Sequence, residues 1–263
     1  MANKYVKTSV FICDRFVFIC RLFFHAFYRP AENKLSLFLK LFLMEKRNAL
    51  IAGATGLVGN SILQQLLADD QYEKVAIIAR KPMEIKHPKL IHQLIDFDSI
   101  ESIKLDFSVD DVFCALGTTI KTAGSQDAFF KVDYTYVVNL GKWCALNSVK
   151  RFLIVSAMGA NAKSGIFYNR VKGEMEAAVS QLNIPQKQIF QPSLLMGNRT
   201  EKRSGEKIAQ AVMGGLGFLF TGSLLKYKGI HADVVAKAMI KAAKSETIGF
   251  TVYNSGELQG MGK

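Results

Sequence analysis

Between residues 48 and 68 the chain passes from an apolar run, Asn48–Gly53, through a turn punctuated by glycine into a stretch of helical periodicity, Leu57–Ala68. The turn reads Gly53-Ala54-Thr55-Gly56-Leu57-Val58-Gly59, a G-x-x-G-x-x-G spacing. This order of strand, glycine turn and helix constrains the fold more than any other feature. One glycine turns the chain tightly, one lets the backbone approach a pyrophosphate, and one lets the helix pack close to the strand. A pyrophosphate placed there meets the free N–H groups and the positive dipole end of the helix. Lying between a strand and a helix, the turn predicts a dinucleotide site.

The same alternation continues down the chain. Short apolar runs recur at Lys74–Ala79, Lys89–Ile95, Asp111–Leu116, Arg151–Ser156, Gln188–Leu195 and Phe250–Tyr253. Helical stretches are read at about Ser125–Leu146, Asn169–Leu182, Gly205–Gly217 and Ala232–Ala243. Continuous apolar strands are buried on both faces, and strands alternating with helices demand crossovers. The expected fold is α/β: a doubly wound, mostly parallel sheet of Rossmann type over residues 44–263, with a small C-terminal substrate lobe. Ligands of such sheets bind at the carboxyl ends of the strands.

Composition narrows the function. Of 263 residues 49% are apolar, 21% are charged and five are proline, which excludes a disordered chain. The four cysteines form no CxxC pair and no cluster with histidine, which excludes a disulfide scaffold or zinc ribbon. No metal site is expected, and the compartment is expected to be reducing, hence cytoplasmic. A net charge of +12 raises the question of nucleic acid or membrane. Residues 1–43 hold seven basic against two acidic residues, and ten of the 28 aromatics. The remaining excess is dispersed, without a basic run interleaved with aromatics, so no nucleic-acid partner is expected.

Three readings compete for residues 1–43. A transmembrane helix is interrupted by Asp14, Arg15, Arg21 and His25. A basic amphipathic anchor would use Ile12, Phe16, Ile19, Phe23 and Phe27 at helical spacing, giving peripheral membrane contact. The third reading places the natural start at Met44, since Met44-Glu45-Lys46-Arg47 leads directly into the first strand. A secretory signal fits poorly, because no small-residue cleavage site follows a clean apolar core.

Two sets of residues carry candidate chemistry. The second strand is followed by Arg80-Lys81, where an NAD site places an acid for the ribose hydroxyls. A guanidinium pairs with a 2′-phosphate, so NADP(H) is expected over NAD(H), with ordinary surface cations as the alternative. Asp96-Phe97, ending the third strand, would meet adenine, or else are a surface acid beside a core aromatic. Ser156 ends the fifth strand, and Tyr168 and Lys172 follow twelve and sixteen residues later. Positions i and i+4 share a helix face, and an ammonium beside a phenol favours its ionised form, which suits proton exchange. Ser156 can hydrogen-bond a carbonyl oxygen where charge gathers.

With these residues the chain resembles an atypical short-chain dehydrogenase/reductase, in the branch of the Tat-interacting oxidoreductase-like proteins and their bacterial relatives. The resemblance covers nearly all of residues 46–255. Its most specific parts are Gly53 through Gly56, Cys114-Ala115-Leu116-Gly117-Thr118-Thr119, Phe130 through Tyr134, Ser156 through Ala160, Tyr168 through Lys172, Gln191 through Gly197, and the charged stretch Arg199–Glu206. It implies an NADP(H) site in which Gly53, Thr55, Gly56, Leu57 and Val58 line the pyrophosphate and Arg80 takes the 2′-phosphate. Leu116 and Gly117 would border the cofactor, Tyr168 and Lys172 would reach the ribose and the reaction centre, and Pro192, Ser193, Leu194 and Leu195 would back the nicotinamide. Many extended relatives have Asn where this chain has Asp133; Asn139 lies on the same predicted helix. A sugar-nucleotide epimerase would need a larger C-terminal lobe than Arg199–Lys263 provides. Cys114 and Cys144 read as buried packing residues rather than nucleophiles. Gly214 through Phe220 would border a substrate mouth, a dimer face or a membrane surface.

The expected function is reduction of a carbonyl on a small molecule by a monomer or homodimer. The alternative is an NADP(H)-sensing regulator without turnover.

Overall fold

The computed structural model describes residues 46–197 and 228–262. In order along the chain the elements are β1 (Arg47–Ala52), α1 (Leu57–Ala68), β2 (Tyr72–Ala79), β3 (Leu90–Leu94), a 3₁₀ turn (Phe97–Ser102), β4 (Asp111–Cys114), α2 (Ile120–Ala123), α3 (Gln126–Phe130), a π turn (Lys131–Thr135), α4 (Tyr136–Leu146), β5 (Arg151–Val155), α5 (Phe167–Ser180), β6 (Gln186–Gln191), β7 (Leu195–Met196), β8 (Ile230–His231), α6 (Ala232–Ala243), β9 (Gly249–Asn254) and α7 (Ser255–Met261).

Seven strands form one parallel sheet in the order β3-β2-β1-β4-β5-β6-β9. Alternation along each strand sends side chains to opposite faces. Ile51, Ile77, Phe113 and Leu153 pack under α1 and α6, against Ile62, Leu66, Val235 and Met239. Leu50, Ile78, Val112, Phe152 and Ile154 pack under α4 and α5, against Val137, Leu140, Trp143, Met175 and Val179. Helices therefore cover both faces, as the sequence predicts. The order reverses between β1 and β4, so the crevice for a ligand opens at their carboxyl ends.

Three local departures matter. The helix read across Ser125–Leu146 is broken by the π turn, which holds Asp133 fully buried. The strand read to Leu195 stops at Gln191, because Pro192 has no N–H to give the ladder; Leu195–Met196 pairs instead with Ile230–His231. The C-terminal helix α7 was not anticipated, although Asn254 and Glu257 form its capping box. The expectations for residues 1–43, Arg199–Glu206, Gly205–Gly217 and Gly214–Phe220 lie outside the described residues. No helix among the described residues is long and apolar enough to cross a membrane.

Candidate dinucleotide site and catalytic face

The glycine turn lies at the switch point. Gly53 has φ +87°, and a Cβ on it would stand 2.6 Å from the Ala115 carbonyl oxygen, so the ends of β1 and β4 close up only around a glycine. A Cβ on Gly59 would stand 2.0 Å from the Gly53 carbonyl oxygen, which presses α1 onto the turn. Gly56 is the N-cap of α1 and makes no side-chain cap; the first turn of the helix carries no acid. Thr55 and Gly56 are exposed. A helix start left uncapped beside an open glycine surface fits a pyrophosphate. Val58 is buried in the core, so only its backbone is available to a ligand.

Arg80 and Lys81 follow the end of β2 and are exposed. Asp96 is exposed and caps the 3₁₀ turn, accepting from the Asp98 N–H at 3.0 Å. Phe97 is buried and packs on Tyr136 with ring centroids 5.5 Å apart. Leu116 is half-buried against the α4 side of the core, and Gly117 is exposed.

On α5 the expected face is present. Tyr168, half-buried, packs on Phe129 with ring centroids 5.4 Å apart. One turn later Lys172 is buried and ion-pairs with Asp133 at 2.7 Å. The second oxygen of Asp133 accepts the Thr118 N–H at 2.9 Å, joining α5, the π turn and the loop after β4. Burial pulls the Lys172 ammonium toward losing its proton, but the attraction of Asp133 and Tyr168 outweighs it and lifts the group above the ordinary lysine value. Gly173 lets this helix approach closely: a Cβ there would stand 2.1 Å from the Ala162 nitrogen.

Ser156 is placed differently from its expected role. It is buried, and its hydroxyl donates to Glu176, one turn beyond Lys172 on α5. Gln191 at the end of β6 donates to both Glu176 oxygens at 3.0 Å. Burial pushes the Glu176 carboxyl up, while the Ser156 and Gln191 hydrogen bonds and Lys172 pull it back only in part. While Glu176 is ionised, the single proton of Ser156 is committed to it rather than to a substrate. Sequence reasoning passed over Glu176, although it continues the i, i+4 face of Tyr168 and Lys172.

The segment after β6 is tied into the fold. Pro192 accepts the Met158 N–H through its carbonyl at 3.0 Å. Ser193, buried, donates to the Lys228 carbonyl and accepts from the Ser255 hydroxyl at 2.9 Å. Leu194 and Leu195 are half-buried. Cys114 and Cys144 are both buried and free, and burial pushes the Cys114 thiol up to about 12.

Compared with known proteins, residues 53–187 match the NAD(P)H-binding family. The chain is 33% identical over 179 residues to protein HTATIP2 of Rattus norvegicus, covering 66% of this chain and 74% of that protein. It is 32% identical over 205 residues to protein FMP52-1, mitochondrial, of Scheffersomyces stipitis, covering 75% of this chain and 88% of that protein. Among solved structures, WbmH of Bordetella bronchiseptica in complex with NAD+ superposes with TM-score 0.62 at 16% identity, over 80% of this chain and 76% of that one. Human epimerase family protein SDR39U1 with NADPH gives TM-score 0.51 at 17% identity, over 80% and 77%. These structural likenesses concern the fold, and the family follows from the sequence matches. A glycine turn at the switch point of a seven-stranded parallel sheet is where that family's dinucleotide belongs, and the chain is a member of the NAD(P)H-binding family, of the HTATIP2-like kind.

Proposed function

We propose that the protein is an NADPH-dependent oxidoreductase that reduces the carbonyl of a small or medium-sized apolar molecule. The observation that carries this reading is Tyr168 and Lys172 one turn apart on α5, with the ammonium buried and held by Asp133 at 2.7 Å. When bound, the reduced nicotinamide supplies a hydride. Tyr168 supplies the proton to the carbonyl oxygen, and Lys172 stabilises the phenolate left behind. For Ser156 to anchor that oxygen, its hydroxyl turns from Glu176 toward the crevice. Gly53, Thr55, Gly56, Leu57 and Val58 hold the pyrophosphate; Leu116, Gly117, Pro192, Ser193, Leu194 and Leu195 border the nicotinamide half, and Asp96 and Phe97 the adenine. Arg80, with Lys81 beside it, takes the 2′-phosphate.

Cofactor choice is tested by titrating NADPH and NADH against the native protein and Arg80→Ala. Losing a charged donor to phosphate weakens NADPH by about tenfold to a hundredfold and leaves NADH unchanged. Equal native affinity for the two would overturn the preference. Turnover is tested on a panel of carbonyl compounds with the native protein and Tyr168→Phe, which loses the proton donor while keeping the ring.

One observation favours a second reading, an NADP(H)-responsive regulator without turnover: the Ser156 proton is spent on Glu176. Tight NADPH binding with no turnover on the panel, identical in Tyr168→Phe, would decide for it. The proposed location is cytoplasmic, with peripheral membrane contact through residues 1–43 as the alternative; the Scheffersomyces stipitis relative is named mitochondrial.

A further inference from the structure

Lys172 and Asp133 form the most deeply buried ion pair among the described residues, their side chains 4% and 1% exposed. Asp133 reaches Lys172 from the π turn, an insertion that often marks functional sites. Its other oxygen holds the Thr118 N–H. Directly above lies exposed Gly117: a Cβ there would stand 3.4 Å from the Asp133 carboxylate and 3.8 Å from the Lys172 ammonium. One carboxylate therefore grips both the ammonium and the loop that borders the crevice.

An amide at this position would hold the Thr118 N–H equally well, because either group offers an oxygen. It would not hold a buried ammonium, which loses its proton readily when unpaired. Among the described residues, the other ionisable groups facing Lys172 are Tyr168 and Glu176 on its own helix and Cys114 at the end of β4. The Cys114 thiol is pushed up by burial and so is neutral near pH 7.

We propose that Asp133 is a positioning residue that keeps the Lys172 ammonium charged and fixed beneath the loop after β4, so that a dinucleotide entering the crevice meets a preformed cation. This rests on the dinucleotide reading of the crevice and adds to it the reason for a carboxylate at residue 133.

The test is NADPH affinity by fluorescence titration between about pH 7 and pH 9, below the ordinary lysine value. Asp133→Asn is expected to weaken relative to the native protein as pH rises, reaching about tenfold, the loss expected when a charged donor becomes neutral. Adding Lys172→Arg to that variant should remove the pH dependence, since a guanidinium keeps its charge. A constant ratio of Asp133→Asn to native, or a pH dependence that survives in the double variant, would overturn the proposal. Should Asp133→Asn fail to fold, lysine-amine NMR of the native protein decides. The Lys172 signal, assigned by its loss in Lys172→Arg, should stay protonated to higher pH than exposed lysines; titration with them or before them overturns the proposal. A native protein that binds neither NADPH nor NADH would remove the cofactor reading instead, and the NMR titration would still report on the ion pair.

Discussion

At the amino-terminal ends of its strands the sheet buries Asp111, and beyond the carboxyl ends Asp133 lies just as deep, both at 0% exposure. Asp111 opens β4, and its partners open the strands on either side and one beyond: Arg151 starts β5, Arg47 starts β1 and Tyr72 starts β2. The Tyr72 hydroxyl donates to Asp111 at 2.6 Å, Arg151 pairs with its other oxygen, and Arg47 stands 3.7 Å away. These positions follow from ladder register, which sets Asp111 beside Arg151 and Arg47 beside Tyr72. Asp133 is held by irregular structure instead, a π turn on one side and a loop on the other. Its partner is an ammonium that can lose its proton, under a glycine exposed to solvent. The same buried charge thus serves two ends. Guanidiniums that are always charged knit four strand starts together, whereas a titratable ammonium waits beside the crevice.

The sharpest way to break this division is Asp111→Ala. It leaves Arg151 and the Tyr72 hydroxyl without their acceptor, and removing one partner of a buried pair costs about 3–5 kcal/mol. Denaturant titration should show that loss, with NADPH affinity of the folded protein unchanged. A stability change under about 1 kcal/mol, or a parallel loss of cofactor affinity, would contradict the division. The opposite pattern is expected at the other end. Lys172→Met combined with Asp133→Asn leaves no lone charge, so its stability cost should fall well below that of Asp111→Ala. NADPH affinity should nevertheless drop by about tenfold for the lost charged donor. A double variant that unfolds as readily as Asp111→Ala would make the upper pair a structural clamp as well.

How much of this was legible in the sequence depended on whether a residue answers a local demand. Gly53 and Gly59 were legible because only glycine fits a positive φ against a carbonyl or a helix pressed onto a turn. Tyr168 and Lys172 were legible because four residues bring two side chains onto one helix face. The partnership of Asp133 with Lys172 was not, since 39 residues and a π turn without a composition signal separate them. The Asp111 cluster was hidden for the same reason: its members are adjacent only once the strands are in register. Ser156 was found by its place after β5, but the direction of its hydroxyl depends on Glu176, which reads as one more acid on an amphipathic helix. Asn254 and Glu257 carried a legible cap signal that the preceding short strand obscured.

The smallest expected effect concerns Glu176 and sharpens the comparison within the upper end itself. Burial raises its carboxyl above the ordinary value, so the fold favours the protonated form. Such a group contributes stability in full below the ordinary carboxylate range and loses it as pH rises through the raised value. The native protein should therefore lose stability from this source as pH rises above the ordinary carboxylate range, and Glu176→Gln should not. Melting temperatures of the two proteins, compared across that range, should diverge in favour of the variant as pH rises. Protonated Glu176 can donate to Ser156, and only then is the serine proton available to a substrate oxygen. A flat difference would mean that folding leaves the Glu176 carboxyl at its ordinary value, ionised and holding the Ser156 proton near neutral pH, and the regulator reading would gain over the reductase.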